Sequence, residues 1–191
     1  FGLYAFVPVD PPGASDYSCD CYTKNPGIQF FASVQVSQNT TNQDLVAVVN
    51  QHNLNTGLLA SAYNAFKPED ASQCVVLPLI QNNHVGGGFV YWTSINIVNV
   101  GSSSTTVTID YSDIGTSADE TFTLDAGKSA NLLNYGSGNP VNGDPNLDYV
   151  GSARVRGANS TDKLLVVVNQ QSLVGGGDSQ CTYNGFNLNP D

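Results

Sequence analysis

The sequence predicts an all-β protein made of antiparallel β-sandwich units. Short runs rich in Val, Ile, Thr and Tyr are separated by clusters of Gly, Asn, Asp, Ser and Pro, which is the composition of strands and turns. Several runs alternate apolar and polar residues with a period of two, and no window keeps a helical period. Seven or eight short strands at this spacing are typical of an antiparallel sandwich.

One set of motifs occurs twice in the chain, which predicts a tandem repeat. Each copy contains an Asn-x-Thr sequon, a Val-Val-Asn-Gln strand end and a Tyr-Asn-x-Phe motif, in that order. The sequons begin at Asn39 and Asn159 and the last motifs begin at Tyr63 and Tyr183, so both pairs are 120 residues apart. Self-similarity at a fixed spacing is the signature of an array. The 191 residues therefore hold one whole unit and the last part of a preceding one.

This period divides the chain into three parts. We expect an incomplete unit over residues 1–66, a polar linker over residues 67–74 and a complete unit over residues 75–191. The strands expected in the incomplete unit are residues 1–9, 28–37, 45–51 and 60–66. Those expected in the complete unit are residues 75–81, 89–100, 105–111, 120–124, 129–135, 149–156, 164–171 and 181–186.

Composition limits the partners and the setting. The formal net charge is −10, with only 6 Lys and Arg residues, which argues against a nucleic-acid or anionic-membrane surface. No apolar run approaches the roughly 20 residues of a membrane span. Because the chain begins with Phe1 and shows no signal-peptide pattern, we expect a processed or excerpted form.

Four cysteines and no methionine favour an oxidising, extracellular setting, where an even cysteine count can form disulfides. Cys19, Cys21, Cys74 and Cys181 allow three pairings. We favour Cys74 with Cys181, which would join the first and last strands of the complete unit. A metal or redox site at Cys19-Asp20-Cys21 is disfavoured because no C-x-x-C pair or nearby His accompanies it.

The two sequons have two interpretations. Asn39 and Asn159 each lie in a predicted turn between strands, so both are candidates for glycan attachment in a secreted protein. Shared ancestry of the units would also repeat the motif, and Asn often supports a polar turn without any glycan.

Other polar residues give no catalytic or metal-binding pattern. His52 and His84 have no Glu or Cys partner at metal-ligand spacing, so we expect solvated loop histidines. Residues 86–88 and 175–177 are glycine runs without the helix or Lys of a phosphate cradle, so we expect turns. Asp144 and Asp148 lie in an Asp/Asn-rich loop, where a turn is favoured over a Ca²⁺ site because the D-x-D-x-D-G order is missing. We therefore expect no enzyme, no bound metal and no cofactor.

Trp92 is the single tryptophan and follows Tyr91 in a predicted strand, so one side chain points inward and the other outward. We expect Trp92 to fill the core between the sheets. The alternative is a sugar-binding platform.

The order of strand motifs resembles a known type of repeat. Residues 77–80 read L-P-L-I, residues 89–101 read F-V-Y-W-T-S-I-N-I-V-N-V-G, residues 105–111 read T-T-V-T-I-D-Y, residues 124–130 read L-D-A-G-K-S-A, and residues 149–155 read Y-V-G-S-A-R-V. With V-V-N-Q and Y-N-G-F, this order resembles tandem β-sandwich repeats of secreted surface proteins from filamentous bacteria such as the Chloroflexota. The resemblance covers residues 75–186 well and residues 28–66 in part. It implies an extracellular immunoglobulin-like unit and supplies no catalytic residues.

The first unit lacks half of a sandwich. Residues 1–9 align with residues 129–135 and residues 28–66 with residues 149–186, which leaves residues 75–124 without counterparts. Unpaired edges and an apolar inner face would then remain exposed. The residues concerned are Phe30, Val34, Val46, Val48 and Phe66.

Two explanations of the missing half remain open. The chain is a fragment of a longer array, or its first unit is a smaller sandwich closed by the loop around Cys19. Alternatively, a neighbouring subunit supplies strands, and head-to-tail contacts build a filament. We favour a non-enzymatic structural subunit of an extracellular filament or surface layer, whose partners are identical subunits and attached glycans. The alternative function is a cell-surface adhesin module that binds a glycan or another cell.

Overall fold

The computed structural model describes residues 47–52, 60–112, 120–136, 138–172 and 180–188. Within these ranges the regular structure is β, apart from two 3-10 turns at Pro68–Asp70 and Val141–Gly143. The strands are β1 (Val48–His52), β2 (Ala60–Asn64), β3 (Cys74–Asn82), β4 (His84–Gly86), β5 (Phe89–Asn99), β6 (Thr105–Tyr111), β7 (Glu120–Leu124), β8 (Ser129–Leu133), β9 (Tyr149–Gly157), β10 (Leu164–Ser172), β11 (Cys181–Asn184) and β12 (Phe186–Asn187). No helix in these ranges is long and apolar enough to span a membrane.

The strands form three antiparallel sheets. Sheet A contains β1 and β2. Sheet B has the order β11-β10-β5-β4, and β8 pairs with β5 beyond the end of β4. Sheet C has the order β12-β3-β9-β6-β7. Sheets B and C share one apolar core, so residues 74–188 contain an antiparallel β-sandwich and the predicted fold class is confirmed at this level.

The core follows from the period-2 alternation of the strands. In β6, Val107, Ile109 and Tyr111 are buried, whereas Thr106 and Asp110 are exposed, as the sequence predicts. Sheet B contributes fully buried side chains in the same way, among them Ile95 and Val168. Burial of one such aliphatic side chain stabilises the fold by about 1.5–3 kcal/mol relative to leaving it in water.

All eight strands predicted for the complete unit form, and β6 and β7 have the predicted bounds. One further strand, β4, forms where a turn was expected, so the prediction of a loop around His84 is wrong. Gly87 and Gly88 have φ angles of 57° and 85°, and this pair of left-handed residues suits a two-residue hairpin turn. The tight turn lets β4 pair with the start of β5.

The sequence repeat is also a repeat of strand register. In sheet A, Val48 pairs with Asn64 and Val49 pairs with Tyr63. The same motif positions pair in sheet B, where the partners are Val167 with Asn184 and Val168 with Tyr183. After each hairpin one further backbone hydrogen bond of 2.9 Å forms. The Ala65 N–H donates to the Ala47 carbonyl oxygen, and the Gly185 N–H donates to the Val166 carbonyl oxygen. The hairpin β1–β2 is therefore a structural copy of β10–β11.

Candidate assembly surface

The sandwich has one open side, where an edge strand of each sheet lies next to the other. β7 is the edge of sheet C and β8 is an edge strand of sheet B, and only residues 125–128 connect them. Among the described residues, neither strand pairs with a strand on its outer edge. A groove of about 450 Å³ lies between them, and we call it the β7/β8 groove. Its lining residues are Glu120, Thr121, Phe122, Ala130, Asn131, Leu132 and Asn139.

The floor of the β7/β8 groove is apolar. Phe122 from β7 and Ala130 from β8 are half-buried and pack against the core, and Leu132 is 4% exposed. These three side chains belong to positions that face the interior of the sandwich, and the groove reaches them because no further strand covers this side in the described part of the chain. The groove therefore offers apolar contact and unpaired strand edges together.

A chain of hydrogen bonds runs from the groove into the core. The Tyr111 hydroxyl donates to Glu120 Oε1 at 3.0 Å and accepts from Asn134 Nδ2 at 3.1 Å. Asn134 is fully buried; its Nδ2 also donates to the Asn139 carbonyl oxygen at 2.9 Å, and its Oδ1 accepts from the Thr93 hydroxyl at 2.9 Å. Every polar atom of the Asn134 side chain is thus paired, as burial requires.

Burial raises the pKa of the carboxyl group in this network. Desolvation raises the pKa of Glu120, and the hydrogen bond from Tyr111 opposes part of that shift. Burial and the nearby Glu120 carboxylate raise the pKa of the Tyr111 hydroxyl well above its ordinary value. The groove therefore holds a carboxyl group that gains from becoming neutral when its surroundings become less polar.

The hairpin β1–β2 lies on the other side of the sandwich, next to β11. The Ser61 and Thr182 hydroxyl oxygens are 2.6 Å apart, and Asn184 Nδ2 donates to the Asn64 carbonyl oxygen at 3.4 Å. Tyr63 is half-buried, and this burial raises its pKa. Because β11 and β8 lie on opposite edges of sheet B, the hairpin and the β7/β8 groove flank the sandwich from opposite sides.

The structure places only part of the predicted assembly face. Phe30, Val34 and Val46 lie outside the described residues. Val48 is 50% exposed on β1, and Phe66 is half-buried just after β2. Sequence reasoning missed the groove residues, because the groove between β7 and β8 depends on how the two sheets stack and leaves no pattern in the sequence of either strand alone.

The favoured disulfide between Cys74 and Cys181 is not present: Cys74 is a buried free thiol and Cys181 an exposed one. Cys74 is the first residue of β3. Cys181 pairs with Gln170, and the Gln170 side chain donates a hydrogen bond of 2.7 Å to Gln81, near the other end of β3. Cys181 therefore lies near the end of β3 that is far from Cys74. The length of strand between Cys74 and Gln81 is roughly 23 Å, and disulfides need Cα atoms within about 7 Å. Cys19 and Cys21 lie outside the described residues.

The prediction that His84 is a solvated loop residue is wrong, because His84 lies in β4 and contacts the acidic loop. His84 Nδ1 lies 2.8 Å from Asp148 Oδ1, and its ring stacks near Tyr91. Asp144 Oδ1 accepts the Asn146 backbone N–H at 2.8 Å, which makes the loop a hydrogen-bonded turn. Across the described ranges no group of three or more His, Cys, Asp or Glu side chains could hold a metal ion. The side chain of His52 lies outside the described part of the chain.

Trp92 is buried, but on the outer face of sheet B and not between the sheets. Its neighbours Thr93 and Ile95 show the alternation, since Ile95 belongs to the core and Trp92 points the other way. The indole packs against Tyr135, with ring centroids 5.5 Å apart, and Trp92 is 9% exposed. A ring covered in this way is not displayed as a sugar-binding platform.

Asn159 lies in the exposed turn between β9 and β10. Its backbone N–H donates to Asp162 Oδ2 at 2.8 Å, and Asp162 also accepts a hydrogen bond from the Thr105 hydroxyl. The side chain is accessible to solvent, as both interpretations of the sequon require. Asn39 lies outside the described residues.

Comparison with known proteins adds little to this geometry. No protein-family model matches the chain, and no curated protein matches it. Among solved structures the chain is similar to the crystal structure of Thermotoga maritima 1070, with 14% sequence identity and a TM-score of 0.47 over 64% of this chain and 99% of that chain. So distant a likeness supports no inference about activity or partners.

Proposed function

We propose that this chain is a structural subunit of an extracellular filament or surface layer, in which identical subunits join head to tail by β-strand complementation. One observation carries the proposal. The hairpin β1–β2 repeats β10–β11 in register, but β10 has β5 on its other edge and β1 has no such strand among the described residues. An unpaired strand edge is a template for a strand from another chain.

The burial of equivalent residues supports a missing layer in the first unit. Val48 is 50% exposed, whereas its counterpart Val167 is 9% exposed. Asn50 is likewise exposed, and its counterpart Asn169 is 7% exposed. The same two positions are thus covered in the complete unit and exposed in the incomplete one. Covering a valine side chain stabilises a contact by about 1.5–3 kcal/mol, so a partner that covers β1 would gain apolar burial.

The positions of the two unfilled features favour a polymer over a closed dimer. The hairpin lies beside β11 and the β7/β8 groove lies at the opposite edge of sheet B. A contact between two different surfaces of the same molecule is heterologous and grows into a fibre unless its rotation closes a ring. The resemblance to tandem, immunoglobulin-like repeats of filamentous bacterial surface proteins agrees with this arrangement and with an extracellular location.

Glycan attachment at Asn159 belongs to the same proposal. The exposed turn and the repeated sequon make this side chain the accessible candidate among the described residues. Mass spectrometry of the peptide that contains Asn159, taken from native material, should show an added glycan that Asn159→Gln removes. An unmodified peptide would leave Asn159 as a turn residue only.

Electron microscopy and sedimentation of the native protein test the function. We expect regular fibres or sheets whose repeat matches one 191-residue subunit. The variant Val48→Lys places a charge on β1 and should reduce assembly, because charged side chains on an edge strand oppose further pairing. Val150→Lys is the matched control, since Val150 is 48% exposed on β9, which has a paired strand on each side. A wild-type protein that stays monomeric at every concentration would refute the proposal.

A further inference from the structure

We propose that the β7/β8 groove is the acceptor of the joint, and that it binds residues 1–9 of a second copy of this chain as an added strand. The inference rests on the proposed function and adds a second contact to the joint, beside the unpaired edge of β1. Among the described residues the groove has two unpaired strand edges, and residues 1–9 are an apolar segment that the sequence predicts to be a strand.

The dimensions of the groove suit one extended strand. β7 and β8 have five residues each, which corresponds to roughly 17 Å of strand. Residues 1–9 span up to roughly 30 Å when extended, so they can follow either edge over its whole length. Main-chain hydrogen bonds to β7 or β8 would supply affinity, and alternate side chains would enter the groove.

The chemistry of the groove selects an uncharged, apolar strand. Its floor is formed by Phe122, Ala130 and Leu132, and its one acidic side chain, Glu120, is half-buried and hydrogen-bonded to Tyr111. Residues 1–9 read F-G-L-Y-A-F-V-P-V and contain no charged side chain. Their alternation places apolar side chains on both faces of an extended strand, so one face always meets the groove floor. In a chain of net charge −10, a neutral strand also avoids bringing another carboxylate next to Glu120.

The repeat alignment points to the same segment. Residues 1–9 align with residues 129–135, which form β8 and its continuation in the complete unit. In that unit Ala130 and Leu132 of β8 face the core at this side of the sandwich. Residues 1–9 therefore have the pattern of a strand whose alternate side chains pack against the core at this side of a sandwich.

The proposed head-to-tail assembly makes the occupant a second copy. The hairpin β1–β2, which belongs to the same unit as residues 1–9 in the repeat, lies beside β11 on the side away from the β7/β8 groove. A strand from each molecule that binds the groove of the next makes every joint in the assembly the same.

A mixing experiment with full-length variants tests the inference. The donor variant Leu3→Asp places a charge in the incoming strand, and the acceptor variant Ala130→Arg places one in the groove. Thr121→Arg, at an exposed lining position, serves as a second acceptor variant should Ala130→Arg fail to fold. Thr106→Arg, exposed on β6 outside the groove, is the matched control.

We expect each defective variant alone to form at least about tenfold less polymer than the wild type. The reason is that burying an unpaired charge costs more than the roughly 1.4 kcal/mol that changes an affinity tenfold. The donor variant keeps an intact groove and the acceptor variant keeps an intact strand. An equimolar mixture should therefore form heterodimers of twice the subunit mass and stop there, while Thr106→Arg should polymerise like the wild type.

Three outcomes would overturn the inference in different ways. Acceptor variants that polymerise like the wild type would exclude the groove and leave the filament function intact. Defective variants that remain monomeric after mixing, beside a polymeric wild type, would show that residues 1–9 do not bind the β7/β8 groove. A wild type that never polymerises would overturn the proposed function itself.

Discussion

The side chain of Tyr183 in sheet B is hydrogen-bonded to the backbone of Leu79 in sheet C. The phenolic hydroxyl donates to the Leu79 carbonyl oxygen and accepts from the Leu79 N–H at 3.3 Å. Leu79 lies where the register between β3 and β9 shifts, next to Pro78, which has no N–H to donate. Tyr183 therefore satisfies backbone groups that the irregularity releases, and it joins the two layers of the sandwich.

Removing this hydroxyl should weaken the fold. Tyr183→Phe leaves the Leu79 N–H and carbonyl without this partner in a largely buried place, so we expect the free energy of unfolding to fall by about 2 kcal/mol. Urea denaturation measures the change. The control Tyr135→Phe removes a hydroxyl from a ring that is 38% exposed and should stay within about 0.5 kcal/mol of the wild type. Equal losses in both variants would contradict the role of Tyr183.

Asn134 is expected to be the most sensitive polar residue of the core. Asn134→Ala removes three hydrogen bonds and leaves Thr93 and Tyr111 without this partner, so the free energy of unfolding should fall by about 3 kcal/mol. Asn131→Ala is the matched control, because Asn131 is half-buried on β8, which ends just before Asn134, and its side chain donates to Asn96. We expect a loss of about 1 kcal/mol there. A loss at Asn134 no larger than at Asn131 would contradict the buried network.

Glu120 should make stability depend on pH. Its pKa in the folded protein is raised above the ordinary value of 4.5, chiefly by burial, so the folded state favours the neutral acid. The contribution to stability is therefore fully present below pH 4.5 and is lost as the pH rises through the raised pKa. Relative to Glu120→Gln, the wild type should lose stability across that window in urea titrations at several pH values. Glu69→Gln, on an exposed turn, controls for the loss of a negative charge. A difference in unfolding free energy between the wild type and Glu120→Gln that stays constant across the window would refute this prediction.

The two described cysteines should differ in reactivity. Cys181 is exposed and should react with a maleimide in the native protein, whereas Cys74 is buried and should react only after unfolding. Peptide mapping by mass spectrometry locates the label, and Cys181→Ser should remove the fast site. A disulfide-linked peptide that contains both residues would contradict the structure and restore the bridge favoured from sequence.

Local patterns predicted the strands well because their causes are local. The alternation of Val107, Ile109 and Tyr111 with polar residues depends only on the pleat of one strand, and the turn residues between strands are chosen by their own backbone angles. Trp92 shows the limit of this reasoning. Alternation establishes that Trp92 and Tyr91 point to opposite faces, but it does not say which face meets the other sheet.

The sequence by itself determined the all-β class, the approximate positions of eight strands of the complete unit and the repeat that makes β1–β2 a copy of β10–β11. Each of these depends on residues close together or on a fixed spacing. Only the tertiary structure decided which strands form the edges of each sheet. That decision separates Cys74 from Cys181 and brings β7 beside β8, since both results depend on how two sheets stack across a shared core. The hydrogen bond between Tyr183 and Leu79 has the same origin, because it spans the two layers.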